Sequence, residues 1–513
     1  MKKYIGVVVF MTGLIILGAE LSAARLMAPY FGTSMPVWSA LIGLILLALS
    51  LGYWLGGRWA DRSPTPPTLF KILGISGILL SLTPIIARPV LGWSLKGFAQ
   101  LEAGILAGSF VGVTLVLGLP MILLGCVAPF AIRLSTELID ETGRVAGRLY
   151  ALSTLGSFLG TLIPTLVLIP WVGTRITYLL FAMGLTLLSA GGYFLVRDRI
   201  RGILFFVISL IILGLAFGMQ HQSIKPGSQT LFEGESPYQY VRVEEDEAGW
   251  RMLSLNEGHV HHSRYHPAYW FTYGTWDFLT FGPYFNPAPH DVINTTREWA
   301  IIGAGAGTTV KLLRRLYGDE PTIHGVELDP LVHEVAERFF DLKPEDAQID
   351  VTDGRAWITL NTNTYDVIMV DAYKQPYIPF ELSTVEFFTA LRDHLNPDGV
   401  ISINVANPSS DDRLVNALAA TMDTVMEQVW IIRIPKPSAG AILVGTRHAI
   451  TLEDVYKNFE RAEAHAVSSL IHYLGKNHIE RYEAQGLVMT DDNAPVERLM
   501  DLMIFDEIAR QTR

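Results

Sequence analysis

Seven apolar runs fill the first 220 residues, and no other feature limits the possible folds so strongly. They are Tyr4–Ala24, Val37–Gly57, Leu69–Ala87, Ala103–Ala131, Leu149–Trp171, Ile176–Val196 and Gly202–Met219. Each reaches the roughly 17 to 25 residues that a helix needs to cross a bilayer. In lipid the backbone has no water to bond to and must satisfy its own polar groups, so membrane helices are expected. Gly118, Pro120, Gly125 and Pro129 interrupt the fourth run. That pattern predicts either one kinked helix or two closely spaced segments, giving seven or eight spans, with seven preferred. The first run follows Met1-Lys2-Lys3 and lacks the small-residue cleavage site of a removable leader, so it reads as the first membrane helix.

Charge divides the chain at the same place. Up to Gln220 there are 15 Lys+Arg against 7 Asp+Glu, and after it 24 against 43. An acidic second half argues against nucleic-acid binding, which needs a basic surface to neutralise phosphate. The single cysteine, Cys126, excludes an internal disulfide framework. Among the loops, Lys2, Lys3, Arg58, Arg62, Lys71, Arg133, Arg144, Arg148, Arg197, Arg199 and Arg201 fall on one side of a seven-span path. Arg25, Arg88, Lys96 and Arg175 fall on the other. The positive-inside rule then makes the amino terminus cytoplasmic and, with an odd span count, places the second half outside. Glu20 lies inside the first run, five residues before Arg25. An ionisable group there is either a functional residue or an interfacial partner of Arg25 or Arg58. Gly52, Gly56, Gly57, Gly156 and Gly160 are expected to let helices pack closely.

Beyond the short polar segment with Pro226-Gly227, the pattern changes to strands and helices. Ala300-Ile301-Ile302 reads as a buried strand entering the turn Gly303-Ala304-Gly305-Ala306-Gly307, followed by helical spacing from Thr308 to Tyr317 and a second strand ending at Glu327. Glycines at such a turn admit close backbone approach to a ligand, and an acid about twenty residues on can accept both hydroxyls of a ribose. A third strand ends at Asp353-Gly354, suited to an adenine amino group, and Tyr365–Val370 is a buried strand ending on Asp371. Ligands in open parallel sheets bind outside the carboxyl ends of strands, so Glu327, Asp353 and Asp371 are expected around one crevice; the alternative is that they only cap helices. Strands at Gly399–Val405, Val429–Ile434 and Gly440–Thr446 would complete a mixed sheet of roughly seven strands, with helices at Thr384–Leu395 and Asp411–Gln428.

His259, His261, His262 and His266 fall close together, but no cysteines follow and the spacing fits no common zinc site, so no metal is expected. The run Tyr265, Tyr269, Trp270, Phe271, Tyr273, Trp276 reads as a packed lid.

Taken together, Gly303-Ala304-Gly305-Ala306-Gly307, Val326-Glu327-Leu328-Asp329, Asp353-Gly354-Arg355-Ala356, Tyr365–Asp371 and Leu382–Phe388 resemble, in order, the motifs of the spermidine synthase (polyamine aminopropyltransferase) family. Ser236–Val243 resembles its opening strand, and Thr490–Glu497 a tail motif of its membrane-fused members. The resemblance covers most of the chain after Gln229. It implies a donor of the S-adenosylmethionine type, decarboxylated or not, with Asp371 as general base. It also implies polyamine biosynthesis and a homodimer. The donor half looks intact, with Gly303, Gly305, Gly307, Glu327, Asp353 and Gly354 as binding residues. The acceptor half departs from the pattern. Ala306 stands where the family has an amine-binding aspartate, Lys374 replaces a second aspartate, Lys436 a tyrosine, and His261 a glutamine; Gln239 and Tyr269 complete the acceptor candidates. A lysine within about 4 Å of a diammonium acceptor opposes it by on the order of 1 to 4 kcal/mol. Plain putrescine is therefore not expected, and an anionic or lipid-associated acceptor is. Asp491 and Asp492 either serve the site or form a solvated turn, the latter favoured.

The sequence thus predicts a multi-pass α-helical membrane domain (1–220), a linker (221–229), a β-rich lobe with an aromatic lid (230–290), a Rossmann-like domain of the class I methyltransferase type (291–450) and a helical extension (451–513). The expected function is alkyl transfer from a sulfonium nucleoside in the cell (inner) membrane. Methyl transfer, and a transporter or sensor using Glu20 and Arg25, are the alternatives. Loop charges favour an external catalytic half and cytosolic supply of the donor favours an internal one; both stay open.

Overall fold

The computed structural model describes all residues except 32–34, 99–103, 139–140, 221–228, 257–260, 374–377, 407–410, 436–439, 463–464, 476, 484–485 and 512–513. The chain forms two compact units. The first comprises Met1–Gly227 with Glu233–Tyr240, and the second Ser228–Phe232 with Val241–Arg513. Lys374, Lys436, His259 and most of the expected linker lie outside the described residues.

In the first unit, six helices among the described residues are long and apolar enough to cross a membrane. The seven expected runs fall in these six. The fourth is one candidate span, Gly108–Ser135, bent rather than divided. Its backbone widens to a π-helical turn at Thr114–Gly118, just before Pro120, which has no N–H to continue the ladder. The fifth and sixth runs share one helical element of 54 residues, Thr142–Leu195. A straight helix of that length would extend about 80 Å, far beyond a hydrocarbon core of about 30 Å. Gly173, with φ 79°, breaks it. The part before the break packs on the first helix, and the part after it on the third and last. Gly156 and Gly160 face the carbonyls of Phe10 and Leu14 so closely that a side chain at either would collide with backbone. That is the close helix approach expected of small residues. Glu20 is partly buried. Its expected partners are engaged elsewhere: Arg25 donates to the Pro237 carbonyl, and the Arg58 guanidinium lies 3.8 Å over the Trp54 ring.

The strands number twelve among the described residues. β1 (Thr230–Glu235), β2 (Tyr240–Glu245), β3 (Arg251–Leu255) and β4 (His261–Tyr265) form one sheet in that order. β5 (Glu298–Ile302), β6 (Thr322–Glu327), β7 (Gln348–Val351), β8 (Tyr365–Val370), β9 (Leu395–Val405), β10 (Gln428–Arg433), β11 (Ala441–Thr446) and β12 (Ile479–Arg481) form the second, ordered β12-β10-β11-β9-β8-β5-β6-β7. Neighbours from β9 to β7 run parallel, while β10, β11 and β12 pair antiparallel. Chain order reverses on either side of β5, so its carboxyl end is the switch point at which such sheets open a crevice.

Alternation along each strand divides the core. Trp299, Ile301, Val367, Met369 and Val400 face one layer of helices, and Ala300, Ile302, Ile368, Val370 and Ile401 face the other. Burial on both faces is what a parallel sheet covered by crossover helices requires. The sheet has eight strands rather than seven. The extra one, β12, lies in the tail expected to be wholly helical. There the helices Leu452–Arg461, Ser468–Leu474 and Val496–Gln511 do form.

Candidate active site

Glycine geometry builds the floor of the crevice. After β5 the backbone turns through Gly303 (φ 90°), Gly305 (φ 54°) and Gly307 (φ 83°), a left-handed region that glycine enters without penalty. A Cβ at Gly303 would lie 2.5 Å from the Asp371 carbonyl oxygen, so the turn lies directly against the end of β8. At Gly305 a Cβ would meet Ser263 Oγ of β4 at 2.8 Å. That hydroxyl accepts from the Ala306 N–H at 2.8 Å, and the Thr308 hydroxyl accepts from the Arg264 N–H at 2.8 Å. Strand β4 is thereby pinned over the start of the helix Thr308–Tyr317.

Three carboxylates stand at the carboxyl ends of β6, β7 and β8. Glu327 is 9% exposed and held in place by two backbone donors: Gly305 N–H to Oε2 at 2.9 Å and Asp329 N–H to Oε1 at 3.0 Å. The Leu328 N–H also interacts with this carboxylate, which has four acceptor sites in all. Burial raises its pKa to about 7 against the backbone bonds from Asp329, Gly305 and Leu328. Asp353 is the N-cap of the helix Gly354–Leu360, accepting from Ala356 N–H at 2.9 Å through Oδ1. The capping alternative is thus realised for Asp353, with Oδ2 uncommitted by that bond. Gly354 is needed there because a Cβ would strike Ile302 Cγ2 at 2.5 Å.

Asp371 ends β8, on the far side of β5 from Glu327. Two strand spacings put these carboxyl-bearing positions about 10 Å apart. Asn404 Nδ2 donates to Asp371 Oδ1 at 2.7 Å, and the Trp276 indole N–H also donates to the carboxylate. Burial outweighs both bonds and raises the Asp371 pKa to about 7. A carboxylate titrating near neutrality suits a general base. Behind it, the Tyr373 hydroxyl donates to the Asn404 carbonyl at 3.0 Å and accepts from Ala406 N–H at 2.6 Å, which fixes the Asn404 backbone.

Trp276, Asn404, Tyr373 and Ser263 were not singled out as site residues from the sequence. Asn404 lies at the carboxyl end of β9, where the strand-end rule that found Asp371 also points. Trp276 belongs to the aromatic run, but its neighbour Tyr269 was chosen instead. Tyr269 is exposed, stacks on Trp250 (centroids 5.9 Å apart) and packs at a tilt against His266 (4.5 Å). Ala306 is 0% exposed, its methyl in the core with Val310 and Leu342. His261 sits beside Ser254 Oγ at 3.3 Å, and burial lowers its pKa. His262 has neither ring nitrogen paired among the described residues, and burial lowers its pKa to about 4, so it is neutral at pH 7. Gln239 belongs to the segment counted with the first unit and is tied locally, its carbonyl accepting from Ser236 N–H at 2.9 Å. Asp491 is no free turn residue. It accepts from the Thr384 hydroxyl at 2.6 Å and pairs with Arg355 at 3.0 Å, clasping the tail to two helix starts.

Residues 288–450 match the model of the spermine/spermidine synthase domain. The chain is 32% identical over 229 residues to a probable polyamine aminopropyl transferase of Bifidobacterium longum, covering 40% of this chain and 50% of that one. It is 28% identical over 227 residues to a polyamine aminopropyltransferase of Vibrio vulnificus, covering 42% and 72%. Over 470 residues it is 22% identical to polyamine aminopropyltransferase 2 of Aquifex aeolicus, covering 89% of each chain. The first of these alignments spans half the length of the relative it matches, whereas the last also runs through the helical unit.

Proposed function

We propose that this chain, which carries a spermine/spermidine synthase domain, is a membrane-anchored transferase. It moves an aminopropyl or related alkyl group from an S-adenosylmethionine-type sulfonium, decarboxylated in the first reading, to a nucleophilic acceptor other than plain putrescine. The sulfonium supplies an activated carbon, and the protein supplies position and a base. Glu327 accepts the ribose hydroxyls, and Asp353 accepts the adenine amino hydrogen through its uncommitted oxygen. Gly303, Gly305 and Gly354 let the turn and the helix start lie against Asp371, Ser263 and Ile302, where a side chain would collide, and so shape the floor on which the nucleoside lies. Asp371 takes the proton that the acceptor must lose to attack, held in position by Asn404 and Trp276.

The observation that supports this most directly is the pairing of a glycine turn with a partly buried, raised-pKa carboxylate at the switch point of the sheet. The altered acceptor rests on Ala306, whose buried methyl gives a cationic amine no carboxylate, and on Lys374 and Lys436 in the sequence. The helical unit makes an anionic or lipid-associated acceptor the natural choice. Incubation of the full-length protein with each labelled donor, with and without putrescine, tests the proposal. Release of methylthioadenosine without efficient spermidine formation is expected. Efficient spermidine synthesis would overturn the acceptor assignment. Methyl transfer is the second reading, because Ala306 removes a carboxylate that could favour a donor lacking its own. Release of S-adenosylhomocysteine would establish it.

A further inference from the structure

A cavity of about 290 Å³ opens at the other end of the large sheet, around the amino ends of β5, β8 and β9. Asp366 lies in it at the start of β8, and Asp371 follows β8 at its far end, about 17 Å away at strand rise. The cavity is therefore separate from the crevice. Its polar lining includes Asn286, His290, Thr296, Asp366, Asn396 and Asp398, with Pro283 and Pro397 as apolar wall.

Two features of this lining point to a ligand that donates hydrogen bonds and carries positive charge. First, acceptors are left open. Thr296 is 2% exposed, yet its hydroxyl has no hydrogen-bond partner among the described residues. Asn286 is 3% exposed; its Nδ2 donates to the Pro283 and Asp398 carbonyls, which leaves its amide oxygen to the cavity. The wall that carries it is rigid, since Asn458 Nδ2 donates to the Tyr284 and Asn286 carbonyls at 3.0 and 2.8 Å. Neither oxygen is an enclosed, unsatisfied atom, and an ammonium group with three N–H donors that enters the cavity can bond both.

Second, the charge is one-sided. Among the described residues, no Lys or Arg lines the cavity, while two carboxylates do. Asp366 is bonded by three neutral donors, the Arg297 and Glu298 N–H groups at 2.7 and 3.0 Å and Asn396 Nδ2 at 2.7 Å, so its charge is oriented but not cancelled. Asp398 at the rim pairs with His448 at 2.9 Å and also faces His290 electrostatically. The Arg447 guanidinium nearby is directed at the Leu395 and Asn396 carbonyls. Burial lowers the pKa of His290, so the imidazole adds no positive charge at neutral pH. Among the described residues, no three His, Cys, Asp or Glu side chains converge to hold a metal ion, which favours an organic cation over a metal.

We propose that this cavity is a second ligand site, taking a short alkyl amine whose ammonium group bonds Asp366, Asn286 and Thr296 while its methylenes lie on Pro283 and Pro397. The site is independent of the chemistry proposed for Asp371. Its test uses the full-length protein in detergent carrying Asp371→Asn, so that the crevice has lost its base. Calorimetric titration compares butane-1,4-diamine with butane-1,4-diol, the neutral molecule of the same length. Saturable binding of the diamine and none of the diol is expected. Thr296→Val, nearly isosteric, and Asp398→Asn at the exposed rim should each weaken the diamine by on the order of tenfold. The assignment is overturned by equal binding of the diol or by no binding of the diamine. It is equally overturned if neither substitution changes the affinity, or if binding to the unsubstituted protein vanishes with Asp371→Asn alone.

Discussion

Replacing Asp371 with asparagine should abolish transfer and, above neutral pH, make the fold more stable. Burial raises the Asp371 pKa from 3.8 to about 7, so the folded chain holds this proton more tightly than the unfolded chain does. Below about pH 4 the group is protonated in both states and contributes no pH-dependent difference. As pH rises the unfolded state ionises first, and the folded state loses stability progressively until its own carboxyl ionises near pH 7. Three pKa steps at about 1.4 kcal/mol each set an upper limit on the order of 4 kcal/mol, reached above neutrality. Asparagine has the same shape, retains an oxygen to accept from Asn404 or Trp276, and never ionises. Thermal unfolding of wild type and Asp371→Asn in one detergent, from pH 4 to pH 8.5, measures the difference. The variant should melt roughly 5 to 10 °C higher at the alkaline end and level with wild type at the acid end. A difference that does not change with pH, or a variant less stable at pH 8, would refute a base with a raised pKa at this position.

The Trp276 N–H bond lowers the Asp371 pKa, so Trp276→Phe should raise the midpoint of the ascending limb of kcat/KM against pH, with the plateau at high pH least affected. Ala306→Asp should not create a putrescine-using enzyme. A carboxylate at a position 0% exposed lowers stability by several kcal/mol, read as a drop in Tm, and Lys374 and Lys436 would still oppose a diammonium acceptor. Asp491→Asn breaks the ion pair to Arg355 and weakens the bond from Thr384, and should lower Tm by a few degrees, the partly exposed pair being worth about 1 kcal/mol.

What could be read from the sequence depended on how local the physics was. The glycine turn and the acids 327, 353 and 371 were legible because a parallel sheet puts strand ends, turns and helix starts in a fixed order along the chain. The alternation of Trp299 and Ile301 with Ala300 and Ile302 likewise marks two buried faces of one strand. The contacts that complete the site were less legible because they join distant segments. Trp276 and Asn404 both reach Asp371, although 128 positions separate them. Strand β12 has only three residues, too few to show a period, and exists because it pairs with β10. The two apolar runs around Gly173 read as separate helices, and the non-helical backbone at Gly173 does divide them, whereas Pro164 and Pro170 did not mark the boundary because each is accommodated in helical backbone. Asp353, expected from the sequence to meet a ligand or to cap a helix, caps one through Oδ1.

The most direct test of an adenosyl group lying between Glu327, Asp353 and Asp371 is equilibrium binding of methylthioadenosine to the full-length protein and to Glu327→Gln. Loss of a charged acceptor for two ribose hydroxyls should weaken binding by on the order of 10- to 100-fold. No binding to the wild type, or equal affinity for both proteins, would contradict the site.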